Sequence, residues 1–176
     1  MDINEAIEKL KVKDELAFEY VYTKTKSLVY TVIISVVKDH NQTEDLMQDT
    51  YIKMIKSINS YDNKYRFNTW LATIARNTAL DYYRKQKKQY SVDIHENEYL
   101  FPLERSLQDD EISTNYILSL LDDEEREVVM LYSLDEYKHK EIAIILNKPI
   151  GTITWIYNKA MKKLRKELKK WKKKIY

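Results

Sequence analysis

The chain contains no cysteine, which removes disulfides, thiolate metal sites and thiol nucleophiles together. It holds one glycine and two prolines in 176 residues, almost no material for the positive-φ turns on which hairpins and sandwiches depend. These two scarcities point to an all-α fold. Histidine is sparse as well: His40, His95 and His139 share no ligand spacing, which argues against a zinc or haem centre. No cofactor is expected. No apolar run reaches the roughly 18 residues that a membrane span requires. The sequence opens on Asp2 and Glu5 rather than on a basic stretch followed by an apolar one, so the expectation is a soluble, cytoplasmic protein without membrane insertion.

What is present is ordinary in bulk and uneven in detail. Hydrophobic residues make up 44% and charged residues 33% of the chain, enough for one domain or two small ones. The net charge of +2 conceals segregation: basic runs occupy Arg84 to Lys88 and Lys159 to Lys174, while acidic residues gather from Asp93 to Asp110 and from Asp122 to Glu127. Such separation suggests two polyanion-facing surfaces joined by an acidic stretch. Solvated helix ends are the competing account, because cations at a helix C-terminus are favoured by the dipole.

From Leu16 to Val37, apolar residues at spacings of three and four (Phe18, Val21, Tyr22, Leu28, Val29, Val32, Ile33, Val36, Val37) define one buried face of one or two helices. Thr43 is the expected cap of a helix starting at Glu44 and Asp45 and burying Met47, Tyr51, Met54, Ile55 and Ile58. After a polar and aromatic turn over Tyr61 to Arg66, Asn68 or Thr69 is expected to cap a helix with Trp70, Leu71, Ile74, Ala75, Thr78 and Tyr82 inward. Residues 89–111 lack helical periodicity and contain Pro102, so they read as a linker, with Leu100, Phe101 and Leu103 able to dock on a neighbour. Ile117 to Leu121 mark a short helix, and Asp122 with Glu125 forms a capping-box start to another. The expected division is thus 1–88, a linker over 89–111, and 112–176.

The strongest local signal lies between Lys138 and Leu164. Ala143 is followed four residues later by Asn147 and six residues after that by Ile153, with Ile142, Ile145 and Leu146 apolar around them. This is helix-turn-helix spacing: a small residue where two helices cross, a left-handed residue at the turn, and an anchor for the second helix. Asparagine tolerates the left-handed conformation best after glycine, so Asn147 suits the turn. With Ile153, Tyr157, Ala160 and Leu164 inward, Thr152, Thr154, Trp155, Asn158, Lys159 and Lys162 fall on or near the outer face. There the lysines would neutralise phosphates, Asn158 would pair with an adenine edge, and Trp155 or Thr154 would touch a thymine methyl. A solvated polar face is the alternative.

These blocks resemble the extracytoplasmic-function group of sigma-70 family RNA polymerase sigma factors. Thr43 to Tyr51 is similar to region 2.2, Phe67 to Arg84 to regions 2.3 and 2.4, and Arg126-Glu127-Val128-Val129, Lys140-Glu141-Ile142-Ala143 and Ile150-Gly151-Thr152-Ile153 to region 4. The resemblance covers Phe18 to Lys88 and Leu118 to Leu168. It implies a non-enzymatic protein that binds core RNA polymerase and promoter DNA. On this basis Asp45, Leu46, Gln48 and Asp49 would dock on the β′ coiled coil, and the β flap is the other expected partner on the polymerase core.

Tyr61, Asp62, Asn63 and Lys64 would form the loop that receives a flipped minus-ten base, with Tyr65 and Phe67 as further stacking faces unless Phe67 is core. Arg76, Asn77, Arg84, Lys85, Lys87 and Lys88 would face minus-ten DNA, with Asp81 orienting Arg84 or Asn77. Trp70 is divided between core and the edge of the bubble. Lys140 would join Thr152, Thr154, Trp155, Asn158, Lys159 and Lys162 on the minus-thirty-five element. The resemblance also admits an anti-sigma partner. Thr154 and Ile156 stand where the family often carries Lys or Arg, so base preference cannot be copied from relatives. The rival readings are a plain helix-turn-helix regulator and a metal-dependent nucleic-acid enzyme using Asp45, Asp49 and Asp81; those carboxylates share no catalytic spacing.

Overall fold

A computed structural model describes residues 1–89, 114–133 and 137–175. Only helices and turns occur among them: α1 (Ile3–Lys11), α2 (Glu15–Val37), α3 (His40–Ser57), a 3₁₀ turn (Ile58–Ser60), α4 (Phe67–Gln89), α5 (Thr114–Ser119), α6 (Asp123–Ser133), α7 (His139–Leu146) and α8 (Ile150–Ile175). The linker expected over 89–111 lies outside the described residues except for Gln89, which closes α4. Its apolar trio Leu100, Phe101 and Leu103 lies outside them too.

Aspartate starts four of these helices by one device. The side chains of Asp2, Asp14, Asp39 and Asp122 each accept a hydrogen bond, 2.8–2.9 Å long, from the backbone N–H three residues on. Each bond satisfies a donor that the first helical turn would leave unpaired. Two expected boundaries therefore move. Asp39 rather than Thr43 caps α3, and Thr43 is buried one turn inside, its hydroxyl donating to the Asp39 carbonyl at 2.6 Å. Likewise α4 begins at Phe67, with the Trp70 N–H bonded to the Arg66 carbonyl, so Asn68 and Thr69 lie inside its first turn. The Asp122–Glu125 capping box is present as expected, with the Asp122 N–H donating to Glu125 Oε2 at 3.1 Å.

Helices α1 to α4 pack around Val21, Val29, Val32, Ile33, Met54, Ile58 and Leu71, all 2% exposed or less. The apolar cluster does not stop there. It continues through Val128, Leu131, Ile142, Ile145, Ile153 and Ile156, so α6 and α7 pack directly on α2 and α4. A smaller cluster, built on Leu121, Ala160 and Leu164, holds α5 and α6 to α8.

One buried polar link ties α2 to α3. Thr25 Oγ1 donates to the Val21 carbonyl at 2.7 Å, so the Tyr51 hydroxyl, 2.9 Å away, donates to Thr25. Burial raises the Tyr51 phenol to about 12. The phenol thus stays neutral in the fold while it would ionise near 10 in the unfolded chain. The stability this gives is fully present below pH ~10 and is lost as the pH rises from there through the folded value of about 12. Tyr51→Phe is expected to cost about 1 kcal/mol at neutral pH and to reduce the alkaline loss; urea titrations at both pH values measure the two effects.

Candidate nucleic-acid and polymerase interface

The helix-turn-helix is formed by α7 and α8. Asn147 occupies φ 50°, ψ 50°, and the Lys148 N–H reaches back to the Ala143 carbonyl at 3.0 Å, a Schellman closure. Asn147 thus fills the left-handed turn that the spacing requires. Asn147→Gly should be tolerated, whereas Asn147→Val should cost roughly 1–2 kcal/mol by forcing a β-branched residue into that conformation. Thermal unfolding of the two variants distinguishes them.

On α8, Trp155, Asn158 and Lys162 are exposed, with Trp155 at 63%. Arg165 and Lys166 continue the stripe, a signal readable from the helical period but not used above. Thr152 and Thr154 are half-buried, and Lys140 is exposed on α7. Ile156 is 2% exposed and packs inward, so it is a core residue rather than an altered base-reading one.

Lys159 is only partly available: its ammonium lies 3.0 Å from Glu125 Oε1 and 3.3 Å from Asp122 Oδ2, over the Trp155 ring. Lys163 adds a 2.6 Å bond to Glu125 Oε2. Burial would raise the Glu125 carboxyl, but Lys163, the α6 capping bond and Lys159 outweigh it and hold the group below its ordinary value.

The turn before α4 is pre-shaped. Asp62 Oδ1 accepts from the Lys64 N–H at 3.1 Å, Asn63 takes φ 59°, and the Tyr61 hydroxyl donates to the Tyr65 carbonyl at 2.8 Å. Tyr61 is half-buried, packing edge-on against Phe67 and tilted on Trp70. Phe67 is 4% exposed, which removes it as a stacking face; Tyr65, 42% exposed, remains one. Trp70 is partly buried against the core.

Along α4, Asn77, Arg84 and Lys85 are exposed; Arg84 lies 3.6 Å from Asp81. Lys87 and Lys88 continue the helix backbone. Arg76 behaves differently: its Nε donates to Glu127 of α6 at 2.9 Å, with both side chains largely buried. Burial raises the Glu127 carboxyl above its ordinary value, and Arg76 only partly opposes this. Two further bonds cross in the same sense, Arg66 to Glu141 at 3.3 Å and Lys38 to Asp123 at 2.6 Å. Residues from separate sequence blocks are thereby joined, which helical periodicity could not disclose.

On α3, Asp45, Gln48 and Asp49 form an exposed stripe that includes Ile52, 49% exposed and not anticipated above. Leu46 faces the core at 6% exposure, so it seats the helix rather than presenting a contact. Gln48 borders an open, mainly apolar groove of about 730 Å³ between α2 and α3, lined by Phe18, Tyr22, Met47, Tyr51 and Ile55. Asp49 lines a polar cleft on the α4 side with Lys53, Asp81, Arg84 and Lys85.

Comparison with known proteins matches this geometry block by block. The family described as Sigma-70 region 2 matches residues 21–89, spanning α2 to α4, and Sigma-70, region 4 matches residues 117–166, which include the helix-turn-helix. The ECF RNA polymerase sigma factor SigM of Bacillus subtilis is 32% identical over 138 aligned positions, covering 75% of this chain and 83% of that protein. The chain belongs to the ECF RNA polymerase sigma factors. Another member, SigW of Bacillus subtilis, is 29% identical across 96% of this chain and 98% of its own length.

Among solved structures, the sigma factor RpoE of Bartonella quintana, in complex with the anti-sigma factor NepR, superposes with a TM-score of 0.67 at 24% identity, over 86% of this chain and 96% of that one. CnrH, solved with the cytosolic domain of CnrY, gives 0.67 at 17% identity, over 96% and 98%. These two establish the shared fold. Sigma factors are transcription proteins, and no helix among the described residues is long and apolar enough to cross a membrane.

Proposed function

We propose that this sigma factor brings core RNA polymerase to its promoters in the cytoplasm, without chemistry of its own, through a unit over 1–88 and another over 112–176 joined by 89–111. The observation that carries this reading is the pairing of a region 2 block with a left-handed-turn helix-turn-helix in the family's order. Asp45, Gln48, Asp49 and the adjoining apolar groove are the polymerase-facing surface. Tyr61 to Lys64, with Tyr65, Arg76, Asn77, Arg84, Lys85, Lys87 and Lys88, serve the minus-ten element, where a captured unstacked base offsets a few kcal/mol of melting. Lys140, Thr152, Thr154, Trp155, Asn158, Lys159 and Lys162 serve the minus-thirty-five element, and an anti-sigma factor would compete for these surfaces.

The packing of α6 and α7 on α2 and α4 cannot persist on DNA. Two elements about 25 base pairs apart lie about 85 Å apart along B-form DNA, whereas a compact 176-residue chain is about 40 Å across. The units must part, and Arg76 must leave Glu127 to meet a phosphate. Glu127→Lys is expected to expand the free chain in small-angle scattering and to raise its promoter affinity about ten-fold, on the order of the cost of a broken buried pair discounted for residual exposure. Equal dimensions and affinity would count against this step.

The direct test of the function is run-off transcription by core enzyme, with and without the chain, on genomic fragments. Defined start sites should arise only when the chain is added. If start sites are the same either way, the proposal fails.

A further inference from the structure

Helices α7 and α8 also meet at a ring cluster that none of the faces described above uses. His139, the first residue of α7, has its ring centroid 5.5 Å from Tyr132 and 5.0 Å from Tyr157, and those two tyrosines are 4.4 Å apart. Its Nδ1 lies 3.1 Å from Thr154 Oγ1. The Thr154 hydroxyl also donates to the Ile150 carbonyl at 3.0 Å. A hydroxyl has one proton, so toward His139 the oxygen accepts and the imidazole proton sits on Nδ1. His139 Nε2 is buried with no hydrogen-bond partner among the described residues, a position that suits a bare lone pair better than an orphaned N–H.

This arrangement bears on Thr154. Helical threonine divides between two χ1 rotamers, one of which returns its hydroxyl to the carbonyl four residues back. With Oγ1 bonded on two sides, a single rotamer is selected, and the place of the methyl group is fixed with it. Thr154 is half-buried at the border of the outer face, beside exposed Trp155.

We propose that His139 is a positioning residue for promoter reading: by donating from Nδ1 it holds Thr154 in the rotamer that presents its methyl to a thymine of the minus-thirty-five element. The inference rests on the reading above that α8 enters the major groove there. Methyl-to-methyl contact is a recognised source of thymine preference, and a Thr154 free to rotate would offer a hydroxyl for part of the time.

The experiment uses holoenzyme reconstituted with the full chain, on promoters in which each minus-thirty-five position is varied in turn. Thr154→Ala should abolish a thymine preference at one position. His139→Phe keeps a ring in the cluster and removes the donor; it should reduce that same preference about five-fold, the worth of one neutral hydrogen bond, while other positions are unchanged. His139→Asn, whose amide N–H replaces Nδ1–H, should restore it. His139→Gln places its amide at the Nε2 end, so it should behave like His139→Phe and replaces that variant if it does not fold.

If Thr154→Ala shifts the preference and His139→Phe does not, or if His139→Phe lowers transcription equally from all sequences, the positioning role is overturned. If Thr154→Ala changes no preference, the groove-facing assignment of Thr154 has failed instead, and the inference goes with it.

Discussion

Ile153→Ala is expected to unfold the helix-turn-helix at ordinary temperatures or bring it close to unfolding. Ile153 is fully buried, and in the apolar cluster it joins the residues of α6 and α7. Truncating a buried isoleucine costs about 2–5 kcal/mol, the transfer energy of the lost carbons plus the cavity left behind. Domains of this kind have only about 5–15 kcal/mol in total, so the loss is a large share. Because the cluster runs on into α2 and α4, the urea midpoint of the whole chain should fall and minus-thirty-five binding should go with it. Ile150→Ala is the control: Ile150 is 53% exposed, and its unfolding free energy should change by less than about 0.5 kcal/mol. A small effect at Ile153 would mean that the turn spacing does not anchor α8.

Glu125→Ala should come next in size, at roughly 2–3 kcal/mol. Glu125 is 1% exposed, yet it serves three partners: the Asp122 N–H of the capping box, Lys163 and Lys159. Its removal deletes the box and leaves the Lys159 and Lys163 ammonium groups with Asp122 alone, at 3.3 and 3.8 Å, effects that add to more than one ordinary hydrogen bond. Glu124→Ala should be nearly silent, since its contact with Lys148 is an exposed pair, and such pairs contribute about 0–1 kcal/mol.

The same site sets acid sensitivity. Burial pushes Asp122, Asp123 and Glu125 upward, but the capping-box backbone bonds at Asp122 and Glu125, together with lysines and Arg126, outweigh it and hold all three below their ordinary values. Their contribution is present above the unfolded carboxyl pKa and is lost as the pH falls through the lowered folded values. Glu125→Gln should therefore flatten the decline of stability below pH ~4, and an unchanged slope in acid titration would remove Glu125 from the account.

Reading the sequence worked wherever one helix decides the outcome. Asn147 could be assigned its left-handed turn because few residues other than glycine tolerate that conformation, and the inward faces of α3, α4 and α8 follow from their period. Boundaries were less legible: Asp39 and Thr43 are both good caps, and the choice between them depends on Thr43 being buried against the rest of the fold. Resemblance to relatives puts Leu46 on the polymerase-facing surface, although as an apolar residue in an amphipathic helix it belongs inside, where the structure has it.

The contacts of Arg76, Lys159 and His139 could not be read at all. Each is settled by a partner more than ten residues away, Glu127, Glu125 and Thr154 respectively. No local pattern encodes such distances.

The shortage of glycine has a cost at the corners. Lys13, Lys38, Asn63 and Asn147 all adopt positive φ, while the sole glycine, Gly151, lies inside α8 with open space around it. At Lys38 one residue does two jobs. Its backbone bends the chain between α2 and α3, and its ammonium reaches Asp123 in the other half of the molecule. A glycine would ease the bend and let go of that hold, so local comfort and the grip between halves are set against each other in a single side chain.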